Sequence, residues 1–549
     1  MGNCGSRKIE KTGMKLVSVA EMQAIERQAD AAGHTYAQMM EYAGSGLAAV
    51  VVEECAYLKS GGILGLVGSG NNGGDTLVAL AYLAGLGWRA SAYLVRSRAA
   101  DDPLVNRLEQ AGGKVYHHTE DLTYSQFAGL IKENAIIMDG VLGTGTQLPL
   151  KPDLAETFAY AKAAIQGKQP QPYLIAVDCP SGVDCDTGEA APQCLPAHLT
   201  VTMAAVKQGL LKLPAYELTG KIRLVGIGLP DDGKSLPAWQ AIQCFVADRD
   251  WVRQVLPPRP LSAHKGTFGT ALIIAGSVPY TGAVLLAGEA AYRIGAGLVT
   301  LAVPEPLHTT LAGHLIEATW LPLPDEDGYI SGEAVEVIAH NLDRPTAVLL
   351  GPGLGVQEAT SRFMTRLISG PVPAVIGFLN NPGGSRLQLP PMVVDADGLK
   401  LLANLVGWPG LIPTETILTP HPGEMSVLTG LSTQEIQADR RNIAEHYSRE
   451  WGHIVVLKGA FSLIAAPDGR TAVIPVATPA LARAGTGDVL AGLIVGLRAQ
   501  GVPAFESAVA GAWIHANAGL QAIAQMGNTA SVLAGDVLDA AVSVISSLF

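Results

Sequence analysis

The sequence predicts an α/β protein with two large domains. From Gly61 onward, short apolar runs that end in glycine or aspartate alternate with amphipathic stretches, as expected of repeated βα units. Hydrophobic residues make up 48% of the 549 residues but aromatic residues only 5%, so Ala, Leu, Val and Ile supply the apolar mass, as in helices packed on a buried parallel sheet. Charged residues make up only 16%, which excludes a disordered chain and a coiled coil.

The first half of the chain predicts a parallel sheet with polar residues at its strand ends. A helix is expected over Thr76–Leu86, and two strands stop at an aspartate, Asp139 and Asp178. The carboxyl ends of parallel strands lie along one edge of the sheet, where open α/β folds bind ligands. The predicted strands are Ile63–Val67, Ala90–Val95, Ala135–Met138, Tyr173–Val177, Leu199–Met203 and Ile222–Ile227.

Two segments rich in turn-forming residues mark the domain boundary. Pro230–Ser235 and Pro257–Pro260 bracket a short stretch of breakers and charges. We therefore expect a short N-terminal extension over residues 1–15, a first domain over 16–235 and a second over 236–549. The second domain is predicted to begin its own βα series, with a helix from Thr281 and strands at Gly269–Ala275, Ala347–Leu350, Met392–Val394, Thr416–Leu418 and Ile454–Leu457.

Charge and cysteine usage exclude several functional classes. The net charge is −12 and no dense Lys/Arg run is present, so nucleic acid is not an expected partner. The six cysteines lack paired metal-ligand spacing, which favours a reducing cytoplasm and no structural zinc. The most apolar runs are too short to cross a bilayer, so no membrane partner is expected. We expect a soluble, cytoplasmic homo-oligomer.

The first six residues, Met1–Ser6, fit the pattern for N-myristoylation next to an acylable cysteine. A second interpretation is that they belong to an upstream extension before a start at Met14. We favour the second interpretation.

The first candidate site is a glycine-rich turn. Gly68–Asp75 follows a predicted strand and opens a predicted helix, so its backbone N–H groups and the helix dipole favour an anion. Such a turn serves phosphate binding or is simply a tight structural turn, and the pattern alone does not choose between them. The doubled asparagine Asn71–Asn72 beside Asp75 exceeds what a turn needs, which favours a site.

Two further loops are expected at the same sheet edge. Asp139 is followed by Gly143–Thr146, and Asp178 by a loop that carries Ser181. Oxygen ligands of this kind suit a hard cation, and the carboxylates suit acid/base chemistry. For either aspartate alone, a helix N-cap is the favoured interpretation, but three such loops together favour a site.

These motifs resemble the YjeF N-terminal family, the NAD(P)H-hydrate epimerases, over about Leu16 to Pro230. Met40–Gly44 is similar to the family's N-terminal helix signature, although Tyr42 stands in place of the more usual asparagine and Thr76 in place of a common glycine. The resemblance implies a Rossmann-like three-layer sandwich and a catalytic Asp178 on the hydrate. Implied potassium ligands are Asn72, Asp139 and Ser181. The implied substrate-binding residues are Asn71, Asn72, Gly73, Gly74, Asp75, Gly143, Thr144, Gly145, Thr146, Gln147, Leu148, Pro149 and Asp178.

The second half carries a motif suited to phosphoryl transfer. Gly485–Asp488 precedes the apolar helical run Val489–Leu497. Two glycines at a helix start leave N–H groups free to hold a phosphoryl group, and Asp488 is placed to take a proton from an attacking hydroxyl. The alternative is an aspartate N-cap after a flexible loop.

Other loops of the second half support this interpretation. Lys458–Ala460 follows a predicted strand and places a cation where a nucleotide could sit. His421 lies between two prolines that fix its backbone, and a ligand contact and a core histidine remain equal interpretations. Asp395 and Asp397 are likewise either caps or site residues.

This half, from about Ala238 to Phe549, looks like the YjeF C-terminal family, the NAD(P)H-hydrate dehydratases with a ribokinase-like fold. The resemblance implies that Asp488 is the catalytic base and also contacts the hydrate, although Phe461 and Ser462 differ from a Thr-bearing tail. Residues 370–389 have no counterpart in the family. The matching strings are Lys265–Gly269, Gly282–Ala283, Gly351–Gly355, Val394–Leu399, Thr419–Glu424, Lys458–Gly459 and Gly485–Asp488. The implied hydrate contacts are Ala283, Gly353 and His421, and the implied nucleotide contacts are Lys458, Gly459, Ala460, Phe461, Ser462 and Gly487.

Together the two resemblances imply a bifunctional enzyme that repairs hydrated nicotinamide cofactors. It would interconvert the R and S epimers of NADHX and NADPHX and dehydrate the S epimer to NADH or NADPH. The expected cofactors are K⁺ in the first domain and Mg²⁺ with ADP in the second. The fusion of the two domains in one chain implies ADP, which would yield AMP and phosphate. The sequence itself does not distinguish ADP from ATP. The alternative is a vitamin or sugar kinase fused to a non-catalytic binding module.

Overall fold

The computed structural model describes residues 13–376 and 379–549, which divide into two compact units, Met14–Gln243 and Cys244–Phe549. The predicted class, an α/β protein with two domains, is confirmed. The division lies a few residues beyond the expected boundary at 235 because the next segment packs on the first unit. There the Ala238 N–H donates to Gln28 Oε1 (2.9 Å). The predicted acylation pattern at Met1–Ser6 lies outside the described residues.

The first unit contains one parallel sheet covered by helices. Its strands are β1 (Met14–Val17), β2 (Ile63–Val67), β3 (Ala90–Leu94), β4 (Lys114–His117), β5 (Ile136–Gly140), β6 (Tyr173–Val177), β7 (Leu199–Met203), β8 (Val206–Lys207) and β9 (Lys221–Val225). Its helices are α1 (Val19–Ala31), α2 (Tyr36–Cys55), α3 (Asn71–Gly85), α4 (Pro103–Gln110), α5 (Ser125–Glu133), α6 (Pro152–Gln166), α7 (Tyr216–Thr219) and α8 (Pro237–Ala241).

The sheet order places the candidate loops next to one another. The main sheet runs β4-β3-β2-β5-β6-β7-β9 with parallel pairing throughout, and β1 pairs separately with β8. Apolar clusters lie on both faces, one containing Leu47 and Leu80 and the other Phe127 and Phe158. This is the predicted three-layer sandwich. The ends of β2, β5 and β6 are adjacent, so the loops after them share one edge.

Helix α3 begins earlier than predicted. Gly70 is its N-cap residue, so Asn71–Gly74 form the first turn instead of a loop before Thr76. The first amides of a helix have no partner within the helix. The N–H groups at the start of this turn are therefore free, and they lie at the sheet edge. The predicted glycine-rich turn is therefore two structures, a short turn at 68–70 and the start of a helix.

The second unit is a larger α/β domain. Its strands are β10 (Cys244–Val246), β11 (Thr270–Ile274), β12 (Leu298–Pro304), β13 (Thr319–Leu323), β14 (Asp325–Glu326), β15 (Tyr329–Ile330), β16 (Ala347–Leu350), β17 (Pro371–Ile376), β18 (Leu379–Arg386), β19 (Met392–Val394), β20 (Ile417–Leu418), β21 (Ile454–Leu457), β22 (Leu463–Ala465) and β23 (Thr471–Val473). Its helices are α9 (Arg249–Val255), α10 (Gly282–Arg293), α11 (Glu305–Leu311), α12 (Ala334–Ala339), α13 (Glu358–Ser369), α14 (Asp397–Ala403), α15 (Pro422–Thr429), α16 (Thr433–Ala438), α17 (Arg440–Trp451), α18 (Thr486–Ala499), α19 (Ala504–Met526) and α20 (Ala534–Ser546).

A mixed sheet and a buried helix organise this unit. Strands β13-β12-β11-β16-β19-β20-β21 are parallel, β22 and β23 continue antiparallel, and β10 pairs parallel with β23. Helix α18 is apolar on every face, as expected of a helix enclosed by other elements, and Val489, Leu493 and Leu497 are fully buried. The unmatched 370–389 segment contains the antiparallel pair β17 and β18. No helix among the described residues combines the length and apolarity needed to span a membrane.

Two candidate active sites

The first site is a wide cleft of about 1130 Å³ at the predicted sheet edge. Its polar lining comes from the first turn of α3 and from the loops after β5 and β6. The side wall includes Glu26 and Arg27 of α1, which the sequence did not single out. The predicted residues that line the cleft are Asn71, Asn72, Asp75, Gly143, Thr144, Gly145, Gln147, Pro149 and Asp178.

Four other predicted residues lie behind the cleft lining, which does not include them. A Cβ on Gly73 would lie 2.1 Å from the Gly68 carbonyl oxygen, and one on Gly74 would lie 2.6 Å from Met40 Cε. Gly73 therefore needs to be glycine for packing, because it meets backbone, whereas the close contact at Gly74 is only with the flexible end of Met40. Thr146 Oγ1 donates to the Gly143 carbonyl at 2.9 Å, and Leu148 likewise belongs to the loop. These residues shape the site.

Asp139 and Ser181 form a buried polar pair under the cleft. Ser181 donates to Asp139 twice, through Oγ to Oδ1 at 2.6 Å and through its N–H to Oδ2 at 2.9 Å. Burial raises the pKa of Asp139 to about 6 in spite of these hydrogen bonds. Beside the pair, Asn72 donates to the Leu142 carbonyl at 2.8 Å, while its buried Oδ1 has no partner among the described residues.

The predicted catalytic Asp178 is paired with a buried lysine that sequence reasoning missed. Lys207 forms an ion pair with Asp178 and donates to the Met203 carbonyl at 2.8 Å. Asp178 also accepts from the Met203 N–H at 3.0 Å, and its backbone has a φ of 63°, in the left-handed region. A lysine in a fully buried strand requires a carboxylate partner. The position of Lys207 in an apolar stretch was therefore the sequence signal that could have identified this ion pair.

Asp75 lies in the same group of charges. Burial raises its pKa well above the ordinary value, and the neighbouring carboxylates of Asp178 and Glu26 raise it further, while Lys207 opposes the shift. Burial also raises the pKa of Glu26. The cleft therefore combines an ion pair with carboxyl groups whose pKa is raised by burial.

The Tyr42 side chain does not point into the cleft. Its ring packs on Gly228, where a Cβ would lie 2.5 Å from Tyr42 Cδ2, and against His34 at 5.7 Å between centroids. Its side chain is not part of the cleft lining. Met39, Met40 and Ala43 supply the α2 contribution instead.

The second site is built around Asp395, which follows β19. Asp395 Oδ1 accepts from Lys458 Nζ at 2.6 Å and from Thr419 Oγ1 at 2.7 Å. Glu424 Oε2 lies 3.6 Å from the same Nζ. Asp395 is therefore the centre of a buried ion-pair network, whereas Asp397 accepts from the Gly355 N–H at 2.9 Å and pairs with Lys400, which holds two loops together.

Asp488 lies in the first turn of α18, next to this ion pair. Burial raises its pKa to about 7, the negative charge of Asp395 adds to the shift, and the Lys458 ammonium opposes it. Gly485, with φ of 87°, is the N-cap residue. The aspartate is thus inside the helix, and the predicted alternative of an aspartate N-cap does not describe it.

His421 is neither a core histidine nor a free side chain. It is the N-cap residue of α15, and Nδ1 accepts from the N–H groups of Gly423 (3.0 Å) and Glu424 (3.2 Å). Its Nε2 lies 3.3 Å from Glu424 Oε1, and about half of the side chain is exposed. The cap fixes the orientation of the ring and leaves one face open for a ligand.

Ala283 and Gly353 are neighbours on the other side of the Asp395 loop. A Cβ on Gly353 would lie 3.1 Å from the Ala283 Cβ and 2.9 Å from the Tyr280 Cβ. Gly353 has a φ of 63°, so both conformation and space require glycine. Ser277 Oγ donates to its carbonyl at 2.7 Å.

A narrow cleft of about 190 Å³ lies beside the start of α18. The predicted nucleotide contacts Lys458, Gly459, Ala460, Ser462 and Gly487 line it. Phe461 does not, because its backbone turns through φ of 53° and its side chain is buried. The cleft also contains His515 of α19, which sequence reasoning missed because only the tertiary fold brings α19 to this loop.

Comparison with known proteins gives both halves of the chain a family. Residues 36–209 match the model described as YjeF-related protein N-terminus, and residues 271–541 match the model described as NAD(P)H-hydrate dehydratase. The chain is 34% identical over 540 residues to the bifunctional NAD(P)H-hydrate repair enzyme Nnr of Moorella thermoacetica, covering 96% of each chain. The chain belongs to the family of bifunctional NAD(P)H-hydrate repair enzymes. The predicted family is confirmed.

A second member of this repair-enzyme family also matches nearly the whole chain. The enzyme of Salinibacter ruber is 35% identical over 519 residues, covering 91% of this chain and 90% of its own. Among solved structures, an ADP/ATP-dependent NAD(P)H-hydrate dehydratase of Bacillus subtilis, co-crystallised with ATP and Mg²⁺, is 28% identical with a TM-score of 0.45, covering 55% of this chain and 98% of that one.

Proposed function

We propose that this chain repairs hydrated NADH and NADPH in two steps, one in each unit. The first unit epimerises the hydrate and the second dehydrates the S epimer at the expense of a nucleotide. The observation that carries the proposal is the repeated arrangement of a buried Asp–Lys pair beside a second aspartate with a raised pKa. One such arrangement lies in each unit of a chain that matches the bifunctional repair enzymes over nearly its full length.

In the second unit, Asp488 is the general base for phosphoryl transfer. With a pKa of about 7 it is half-deprotonated at neutral pH and accepts the proton of the ring hydroxyl as that oxygen attacks the terminal phosphorus of the nucleotide. The first-turn N–H groups of α18 and the Lys458 ammonium stabilise the transferring charge. Departure of phosphate with a ring proton then restores the dihydronicotinamide.

Magnesium fits this site as a companion of the nucleotide. The described residues contain no cage of three or more Asp, Glu, His or Cys side chains. Mg²⁺ is commonly held by phosphate oxygens with one or two carboxylates. Asp395 offers such a carboxylate, since its Oδ2 faces Gly487, 3.9 Å from the position of a Cβ there. The ion would neutralise phosphate charge.

In the first unit, Asp75 and Asp178 differ in their surroundings. Asp178 is ion-paired with Lys207, whereas burial raises the pKa of Asp75 well above its ordinary value. Asp178 takes the proton of the ring hydroxyl as the bond between the carbinol carbon and the ring nitrogen breaks to leave an aldehyde, and Asp75 gives a proton to that nitrogen. Reversal of these steps on the other face of the aldehyde closes the ring with the hydroxyl inverted, which exchanges the epimers.

Potassium fits the pocket beneath this cleft. Asn72 Oδ1 is buried without a partner among the described residues, and Asp139 is a desolvated carboxyl group beside it. Such oxygen atoms suit a hard cation. Asn72 and Asp139, with the Ser181 hydroxyl oxygen, would hold the ion, which would supply positive charge under the phosphate-facing turn.

The test supplies mixed R and S hydrate epimers with ADP or ATP and follows the recovery of reduced-cofactor absorbance. Complete recovery is expected with Mg²⁺ and K⁺ present. Without K⁺, recovery should stop once the S epimer is consumed, and Asn72→Ala should show the same arrest in K⁺. No recovery with either nucleotide contradicts the proposal, and a persistent phosphorylated product would indicate a small-molecule kinase instead.

A further inference from the structure

His515 is a buried histidine with an unused nitrogen. It lies on α19, is 8% exposed and lines the narrow cleft together with Lys458 and Gly487. Its Nε2 is buried and has no hydrogen-bond partner anywhere in the described part of the chain. A buried polar atom without a partner is unfavourable, so a ligand that donates a hydrogen bond to Nε2 gains affinity.

The backbone of α18 fixes the state of the ring. His515 forms a hydrogen bond with the Thr486 backbone that stabilises the protonated ring, as expected of an N–H group donating to a carbonyl. Since Nε2 has no partner, Nδ1 is the donating atom. Burial lowers the pKa of His515 to about 4, so at neutral pH the ring is uncharged and Nε2 presents only a lone pair.

The chemistry of a lone pair limits what it can contact. Phosphate oxygens at neutral pH are acceptors, and they would repel Nε2. A nucleoside, in contrast, carries N–H groups on its base and O–H groups on its ribose. The cleft suits that part of a nucleotide, because most of the remaining lining is apolar, namely Ile474, Val476, Leu481, Leu490, Ala512 and Ala516.

We propose that His515 Nε2 accepts a hydrogen bond from an amino or hydroxyl group of the nucleoside part of the phosphoryl donor, and so contributes to the choice of nucleotide. The inference rests on the proposed function, since it concerns the donor site of the dehydratase reaction. His515 acts on binding and specificity, and Asp488 remains the base.

The experiment measures binding of ADP and three ADP analogues to the full chain by titration calorimetry. The analogues are 2′-deoxy-ADP, 3′-deoxy-ADP and purine riboside diphosphate, each of which lacks one donor group. One of them is expected to bind the unmodified protein about tenfold more weakly than ADP. The weak analogue identifies the group that donates to Nε2. Equal affinity of all four nucleotides overturns the inference.

A variant then assigns the discrimination to His515. In His515→Leu, ADP should bind about tenfold more weakly, while the weak analogue keeps its affinity, so the two become equal. His453→Leu is the matched control, because His453 is also buried and its Nδ1 also has no partner among the described residues, but it contacts Trp408 and Pro409 outside the cleft. It should leave the discrimination unchanged.

The two proposals fail in different ways. If the unmodified protein repairs the hydrate but binds every analogue as it binds ADP, only the role of His515 is wrong. If it binds neither ADP nor ATP, the proposed donor site is wrong as well. A discrimination that persists in soluble, folded His515→Leu also overturns the inference, and the analogue series on the unmodified protein does not depend on that variant folding.

Discussion

The two sites use the same charge arrangement for different chemistry. In the first unit, Asp178 follows a buried strand and pairs with Lys207, and Asp75 lies in the helix that starts at the same edge. In the second, Asp395 follows a buried strand and pairs with Lys458, and Asp488 lies in the first turn of α18. Each lysine neutralises one carboxylate, and the desolvated second carboxyl group has a raised pKa.

The two second aspartates differ in their surroundings. Asp75 is buried among Asp178 and Glu26, and its pKa lies well above the ordinary value. Asp488 is less deeply buried, and its pKa of about 7 leaves it able to lose a proton at neutral pH. The proposed roles, Asp75 as a proton donor and Asp488 as a proton acceptor, follow this difference.

The largest expected effect comes from removing the second-unit base. Asp488→Asn should lower kcat of dehydration about a thousandfold, because an amide cannot take the proton of the ring hydroxyl. Epimerisation should be unchanged, since it takes place in the other unit. Asp75→Asn is the matched counterpart, expected to slow epimerisation and spare dehydration of the pure S epimer. Separate assays of each half-reaction check this, and Asp488→Asn activity above a tenth of the parent's would contradict it.

Breaking either ion pair should destabilise the protein. Lys207→Met and Lys458→Met each leave a buried aspartate without its cation, which costs about 3–5 kcal/mol. Urea denaturation measures the loss. The double variant Lys207→Met, Asp178→Asn should recover most of the stability, because the uncompensated charge is gone. If the single and double variants are equally unstable, lost packing explains the effect instead.

The pH dependence of the two half-reactions should differ. Asp488 acts in its deprotonated form, so kcat of dehydration should fall about tenfold for each pH unit below 7. Burial raises the pKa of Asp75 well above its ordinary value, and Asp75 acts in its protonated form, so acidification from pH 7 to 5 should not slow epimerisation through this residue. A pH–rate profile with pure S hydrate measures dehydration, and one with pure R hydrate measures epimerisation. If the rate of dehydration stays the same from pH 7 down to pH 5, the assignment of Asp488 is refuted.

The smallest effects should come from glycines that support each site. A Cβ on Gly140 would lie 1.8 Å from Thr76 Oγ1, and one on Gly351 would lie 1.9 Å from the Asp395 carbonyl oxygen. Each alanine variant should lose about 1–3 kcal/mol of stability and activity in its own unit only. Gly351→Ala should be worse, because φ there is 132°. Gly85→Ala, with open space around it, is the control, and an equal loss there would contradict the packing explanation.

Much of each site could be predicted because strands and their ends are local features. Asp139, Asp178 and Asp395 each follow an apolar run, and parallel pairing brings such ends to one edge whatever the rest of the fold does. The start of α3 was misplaced because Gly70, and not a side-chain cap, begins the helix. Glycine gives a weak local signal for a helix start.

Other site residues were missed from the sequence. A lysine in an apolar stretch was a signal for Lys207, but its partner Asp178 lies in a distant segment. His515 gave no such signal, because its partner is the backbone of α18. Phe461 lies within a predicted contact run, but a left-handed backbone turns its side chain into the interior. These outcomes depend on long-range packing.

The sequence by itself determined the α/β class, the two-unit organisation, the family and the loops that carry the chemistry, because apolar periodicity and glycine-bounded motifs are local in the chain. Only the tertiary structure decided which aspartates are paired with lysine and which have a raised pKa. Burial and neighbouring charge set a pKa, and both arise only when distant segments pack together.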